Sequence, residues 1–192
     1  MKIGAVLLCS GTSSRMGKEN KLMMEINGVE MYKYAVRIAD ELPFFKRVTV
    51  TGYKEISPSG HEVIYNGAPE RGLSLSVMLG TLACRECDGI MYFVCDQPGL
   101  KSGTVRKMIE TFLHTNKIIV PVSGGKRGNP CIFPRRSFEE LSKLCGDKGG
   151  RRVIEKHMDD VEYVRAEEYE LFDIDTAEDM DEAEKIIYNN SL

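Results

Sequence analysis

No stretch of the 192-residue sequence approaches the roughly 20 consecutive apolar residues of a membrane-spanning helix, so no membrane partner is expected. Basic charge is not in excess: 26 Lys and Arg stand against 29 Asp and Glu, for a formal net charge of -3. That balance excludes a protein that tracks nucleic acid by bulk charge, so any anionic ligand must be met by local cations and backbone amides. Histidine is scarce and scattered, at positions 61, 114 and 157. The one CxxC pair, Cys84 and Cys87, has no second pair to complete a zinc site, and reads as two small apolar residues near a helix end. Repeats, low-complexity tracts and Pro/Gly/Ser linkers are missing, and residues 1–192 are read as one domain.

What is present is an ordinary globular composition, with 42% hydrophobic and 29% charged residues, enough apolar mass for a real core. Met1 and Lys2 precede IGAVLL, which superficially resembles an export signal. Its apolar stretch is shorter than the roughly 7–15 residues such a signal needs, and it is read as a buried first strand. With no export signal, the six cysteines at 9, 84, 87, 95, 131 and 145 are expected to be reduced thiols in a cytoplasmic protein.

Near-continuous apolar runs of strand length recur at residues 3–8, 47–53, 61–66, 89–95 and 117–122. The absence of alternation suggests strands covered on both faces of a largely parallel sheet. Between them, residues 31–42, 73–84, 103–115 and 137–145 carry apolar positions at helical spacing. A last helix over 177–188 is announced by Thr176 and Asp179, a capping-box pattern. Strand and helix alternate along the chain, which predicts an α/β architecture with right-handed crossovers.

The first strand runs into CSGTSSRMGKENKL, residues 9–22, which has almost no apolar residues but keeps its cations. No GxGxxG set is present, which rules out the dinucleotide fingerprint. A P-loop fails by one residue between Gly11 and Gly17-Lys18, and Glu19 stands where its metal-binding hydroxyl belongs. What remains is Leu8, Gly11, Arg15, Met16, Gly17, Asn20, Lys21 and Leu22 in order. Here glycines can close backbone N–H groups on phosphate, Arg15 can pair with outer phosphates, and Lys21 offers a compact charge at the reacting phosphorus. A polar turn with solvated cations is the plain alternative.

This loop resembles that of the MobA-like NTP transferases, and within them most resembles molybdenum cofactor cytidylyltransferases. Four further blocks follow in the family's order: VCDQP at 94–98, GNP with Phe133 at 128–133, GDKGGR at 146–151 and DIDTAED at 173–179. The resemblance implies a three-layer, Rossmann-like nucleotidyltransferase fold of glycosyltransferase-A type with a mostly parallel central sheet. It also implies Mg²⁺ as cofactor, CTP or GTP as donor, a molybdopterin-type acceptor, and a molybdoenzyme client that receives the product.

Residue by residue, it places catalysis on Arg15, Lys21 and Asp96, and magnesium on Asp96 and Asp175. Asp96 closes a buried apolar run, where open α/β sheets bind ligands. Asp175 could equally cap the last helix beside Thr176, and on a strand Asp173 and Asp175 would share a face. Nucleotide contacts are expected from Leu8, Cys9, Ser10, Gly11, Arg15, Lys21, Thr51, Gly52, Asn66, Gly72, Ser74 and Ser76. Acceptor contacts are expected from Gly128, Asn129, Pro130, Gly149, Gly150 and Arg151. The loop reads Leu8-Cys9-Ser10-Gly11, whereas the cytidylyl members tend to LAAG and the guanylyl members to LAGG. The preference for CTP therefore leans on the GNP and GDxGGR blocks. A guanylyltransferase, a sugar-phosphate nucleotidyltransferase and a non-catalytic nucleotide or cofactor carrier are the alternatives.

Overall fold

The computed structural model describes residues 1–11, 20–146 and 149–189. In chain order these form β1 (Ile3–Cys9), a 3₁₀ turn (Lys21–Met23), a small hairpin of β2 (Glu25–Ile26) and β3 (Val29–Glu30), α1 (Tyr32–Glu41), β4 (Lys46–Thr51), β5 (Glu62–Tyr65) and α2 (Leu73–Ala83). There follow β6 (Gly89–Val94), α3 (Ser102–Thr115), β7 (Ile118–Ser123), β8 (Lys126–Arg127), β9 (Cys131–Pro134), α4 (Phe138–Ser142), α5 (Arg151–Lys156), β10 (Val161–Arg165) and α6 (Ala177–Asn189).

One sheet runs β10-β7-β9-β6-β1-β4-β5, with β8 paired to β7. The pairs β6–β1, β1–β4, β4–β5 and β10–β7 are parallel, whereas β9 is antiparallel to both β6 and β7. The period of two along a strand sends alternate side chains to opposite faces. Ile3, Ala5, Leu7 and Cys9 accordingly join α1 and α3 in one core layer, with Ala183 of α6. Val6 joins α2, α4 and α5 in the other. Both faces are covered, which explains the unbroken apolar runs, and the architecture is the three-layer α/β sheet expected from sequence.

Several boundaries move. Residues 137–145 were expected as one helix, but only Phe138–Ser142 is α-helical, after a 3₁₀ turn at Arg135–Ser137. The strands β9 and β10 are short, four and five residues, and gave no apolar run long enough to register. Asn27 (φ 50°) and Gly28 (φ 74°) make the primed two-residue turn joining β2 to β3. The α6 start is as anticipated: Thr176 N–H donates to Asp179 Oδ2 (2.7 Å) and Asp179 N–H to Thr176 Oγ1 (3.2 Å). Cys84 and Cys87 are buried in the α2-side core, in keeping with the apolar reading. Among the described residues no helix is long and apolar enough to cross a membrane.

Beside β5, the fully buried His61 side chain bridges Thr49 Oγ1 (2.8 Å) and Asp40 Oδ1 (3.2 Å). A carboxylate on Nε2 fixes the proton there, so Nδ1 accepts from the Thr49 hydroxyl. Burial lowers the imidazole's affinity for a second proton, and Asp40 only partly offsets this. Folding therefore favours neutral His61, while the unfolded chain takes up a proton at the ordinary value near 6.5. This contribution is complete above about pH 7 and is lost as pH falls below the ordinary imidazole value near 6.5. Urea melts across that range are expected to show a falling midpoint, with a shallower fall in His61→Asn. An equal pH slope in the variant would rule out this origin.

Candidate functional site

The carboxyl ends of β1, β4 and β6 lie side by side, because Leu8 is in register with Val50 on one side and Val94 on the other. Ser10 Oγ donates to Val50 O (3.2 Å) and Thr51 Oγ1 to Cys9 O (3.3 Å). The Tyr53 hydroxyl donates to Gly11 O (2.6 Å), tying the start of the loop to the end of β4. The tether itself joins a side chain to a main-chain carbonyl 42 residues away, and a tyrosine after a strand carries no sequence signal for it.

Lys21 extends from its 3₁₀ turn, which Asn20 caps by accepting from Leu22 N–H at Oδ1 (3.1 Å). Its Nζ donates to Asp96 Oδ2 (2.8 Å), Ile174 O (2.8 Å) and Asp175 Oδ1 (3.1 Å). Burial works against the ammonium, yet Asp96 and then Asp175 outweigh it and hold the Lys21 pKa above its usual value. The segment carrying Asp175 reaches β6 through Ile174 N–H donating to Asp96 O (3.0 Å). It is irregular rather than a strand, so Asp173 and Asp175 share no strand face. Asp173 Oδ1 instead accepts from Gln97 Nε2 (2.8 Å), and burial with the charge of Asp96 pushes its carboxyl up to about 6. Asp175 directs its carboxylate to Lys21, and the reciprocal cap of α6 is made by Thr176 and Asp179.

Structure thus brings Lys21, Asp96 and Asp175 together, while Arg15 lies outside the described residues. Among the other expected nucleotide residues, Thr51, Asn66, Ser74 and Ser76 are buried. Asn66 Nδ2 donates to Ser76 Oγ (3.0 Å) and its Oδ1 accepts from Ala68 N–H (3.0 Å), so these two side chains are turned on each other. Gly52 directly follows β4, and Gly72 (φ 83°) leads into α2. Cys9 also faces inward, with Sγ 3.0 Å from Cys95 Sγ.

Next to this edge lies a cavity of about 950 Å³. Leu8, Tyr92, Val94 and Phe133 give it an apolar floor, and Lys126, Arg127, Arg151 and Arg152 bring cations to it. Gly128, Asn129, Gly149, Gly150 and Arg151, all expected on the acceptor side, line it, and Pro130 is buried behind a cis bond to Asn129. Glu155 also lines it and accepts from Arg151 Nε (2.8 Å), a pairing that nothing in the motif announced. Asp147 and Lys148 of the GDKGGR block lie outside the described residues.

The family model for the MobA-like NTP transferase domain matches residues 5–161. A curated relative, the molybdenum cofactor guanylyltransferase of Shewanella piezotolerans, is 26% identical over 155 residues, spanning 79% of this chain and 75% of the relative. Among solved structures, Rv0371c of Mycobacterium tuberculosis superposes with a TM-score of 0.84 at 23% identity, covering 96% of this chain and 99% of the other. A Methanothermobacter nucleotidyl transferase superposes with a TM-score of 0.81 at 21% identity, covering 98% and 99%. At those identities the structural likenesses speak for the fold alone.

Proposed function

The chain belongs to the MobA-like NTP transferase family, and from that premise we propose that it moves GMP from GTP onto the terminal phosphate of a molybdopterin-type acceptor. The observation that carries the chemistry is the Lys21–Asp96 contact of 2.8 Å, two residues beyond Val94, which ends β6 and lines a cationic cavity of about 950 Å³. The choice of acceptor and of guanine rests on the names of curated relatives such as the Shewanella protein. The GNP and GDxGGR blocks favour the second reading, CMP transfer from CTP, and Leu8-Cys9-Ser10-Gly11 matches neither usual loop.

In this reaction an acceptor phosphate oxygen forms a bond to the α-phosphorus while the α–β bridging bond breaks. Pyrophosphate leaves with the bonding electron pair. A phosphomonoester is already anionic near pH 7, so no side chain has to remove a proton. Catalysis then consists of alignment and charge stabilisation. Lys21 supplies a cation to the triphosphate, and the glycines at 149 and 150 bring the backbone against Leu73 and Phe133 at the wall of the acceptor cavity. Arg151 and Lys126 balance the acceptor's charge.

The residues present fit a hard divalent cation. Asp96 Oδ1 is buried with no hydrogen-bond partner, and Asp175 is the second carboxylate within reach of Lys21. Mg²⁺ is usually bound by one or two carboxylates together with substrate phosphates. Held by Asp96 and Asp175, it would supply charge neutralisation at the triphosphate.

Thermal melts with Mg²⁺ and each of the four NTPs test the reading. The true donor at a hundredfold excess over its Kd adds about 2.7 kcal/mol, which for a chain of this size is a rise of roughly 5–11 °C. Selective stabilisation by GTP is expected. Selectivity for CTP would move the assignment to the second reading, and no response to any nucleotide would defeat both.

A further inference from the structure

We propose that Lys21 occupies the divalent cation's place in the free protein, so that the metal is admitted only as its chelate with the triphosphate. The inference rests on the reading of this site as an NTP site and concerns the order in which it fills.

An ammonium has three N–H donors and no acceptor. At Lys21 they have three oxygens within hydrogen-bond reach: Asp96 Oδ2 at 2.8 Å, Ile174 O at 2.8 Å and Asp175 Oδ1 at 3.1 Å. The side chain is only 13% exposed, so this is a largely desolvated arrangement rather than a surface ion pair. Two of the oxygens belong to the carboxylates that would hold the metal. A compact ammonium and a small hard cation compete for the same oxygens, and both cannot take them at once.

A bare divalent ion entering here has to strip Lys21 of Asp96 and Asp175, and it offers the displaced ammonium no new anion. It would also leave two cations side by side in a partly dry site. A metal–triphosphate chelate removes both obstacles. Its phosphate oxygens take over the N–H groups of Lys21 while its metal takes over the carboxylates, so each charge changes partner and none is stranded. The number of protein donors agrees: among the described residues no group of three or more His, Cys, Asp or Glu is placed to hold a metal ion. Meanwhile Asp96 Oδ1 stays buried and unpartnered while Oδ2 engages Lys21, leaving one acceptor for the incoming ion. The exchange also delivers Lys21 to the phosphates at the moment the metal arrives, which couples occupancy to the catalytic arrangement.

Mn²⁺ titrations followed by electron paramagnetic resonance, without nucleotide, test this on the whole chain. Lys21→Met is expected to bind Mn²⁺ roughly tenfold or more tightly than the unmodified protein, within the usual range of coupling between competing ligands. The gap should persist in about 0.5 M KCl, where the field of a merely nearby charge is screened. Adding Asp96→Asn should abolish the gain. A second measurement needs no variant: the Lys21 ammonium ¹H–¹⁵N signal should stay in place with Mg²⁺ alone and shift with Mg²⁺ and GTP together. Equal Mn²⁺ affinity in both proteins, or a shift with Mg²⁺ alone, overturns the inference even if Mg²⁺ with a nucleotide still stabilises the protein. If no nucleotide stabilises it with Mg²⁺, the NTP-site reading itself falls.

Discussion

Lys21→Ala is expected to lower turnover by roughly 10²–10³-fold, the scale seen when one electrostatic donor to a transition state is removed. The side chain is held at 2.8 Å from Asp96 and from the Ile174 carbonyl, so alanine removes a positioned charge rather than a mobile one. On the proposed function, negative charge moves onto the departing pyrophosphate as the α–β bond breaks, and Lys21 is assigned to meet it. The loss should therefore appear in kcat more than in the KM for nucleotide, since the interaction strengthens as the bond breaks. Pyrophosphate release with Mg²⁺, GTP and a molybdopterin acceptor measures both constants. Turnover equal to that of the unmodified protein would remove Lys21 from the chemistry, and a change confined to KM would make it a binding residue only.

The second large effect concerns the scaffold. Phe112 of α3 is fully buried, and its ring lies so close to β6 that a Cβ on Gly89 would stand 2.4 Å from Cζ. The strand that leads to Asp96 thus starts on a glycine because an aromatic ring fills the space beside it. Phe112→Ala is expected to lose about 3–5 kcal/mol from lost burial and the cavity left behind. For a chain of this length that lowers the melting temperature by roughly 6–20 °C. Leu113, its 44%-exposed neighbour on the same helix, provides the contrast: Leu113→Ala should change stability by no more than about 0.5 kcal/mol. Similar melting temperatures for the two variants would show that the α3 contact does not anchor β6.

The long buried strands were legible because covering a sheet on both faces demands unbroken apolar runs, and β1, β4 and β6 carry them. The α6 cap was legible because Thr176 and Asp179 satisfy each other's backbone at fixed spacing. β9 was not, since four residues between a glycine-rich turn and a 3₁₀ turn leave no pattern to count. Motif resemblance gathered Lys21, Asp96 and Asp175 at one site, but two further contacts around them were not legible. Ile174 contributes a main-chain carbonyl, which no side-chain motif encodes, and Gln97 acts through Asp173, 76 residues away in the chain. Asn66 and Ser76 looked like ligand-facing polar residues because sequence cannot distinguish a hydroxyl offered to solvent from one spent on a neighbouring amide.

The reversed direction of β9 has a consequence for how such a protein can diversify. Cys131 pairs with Tyr92 and Pro134 with Gly89, so the turn at 128–130 reaches the same rim as Asp96 without a crossover helix. On the proposed function, donor chemistry sits at the ends of the forward-running strands, while acceptor recognition hangs on the turn that leads into the reversed β9. Residues can be inserted in that turn, or exchanged there, without shifting the register of β1, β4 or β6. On that reading, one half of the reaction is free to drift while the other is kept.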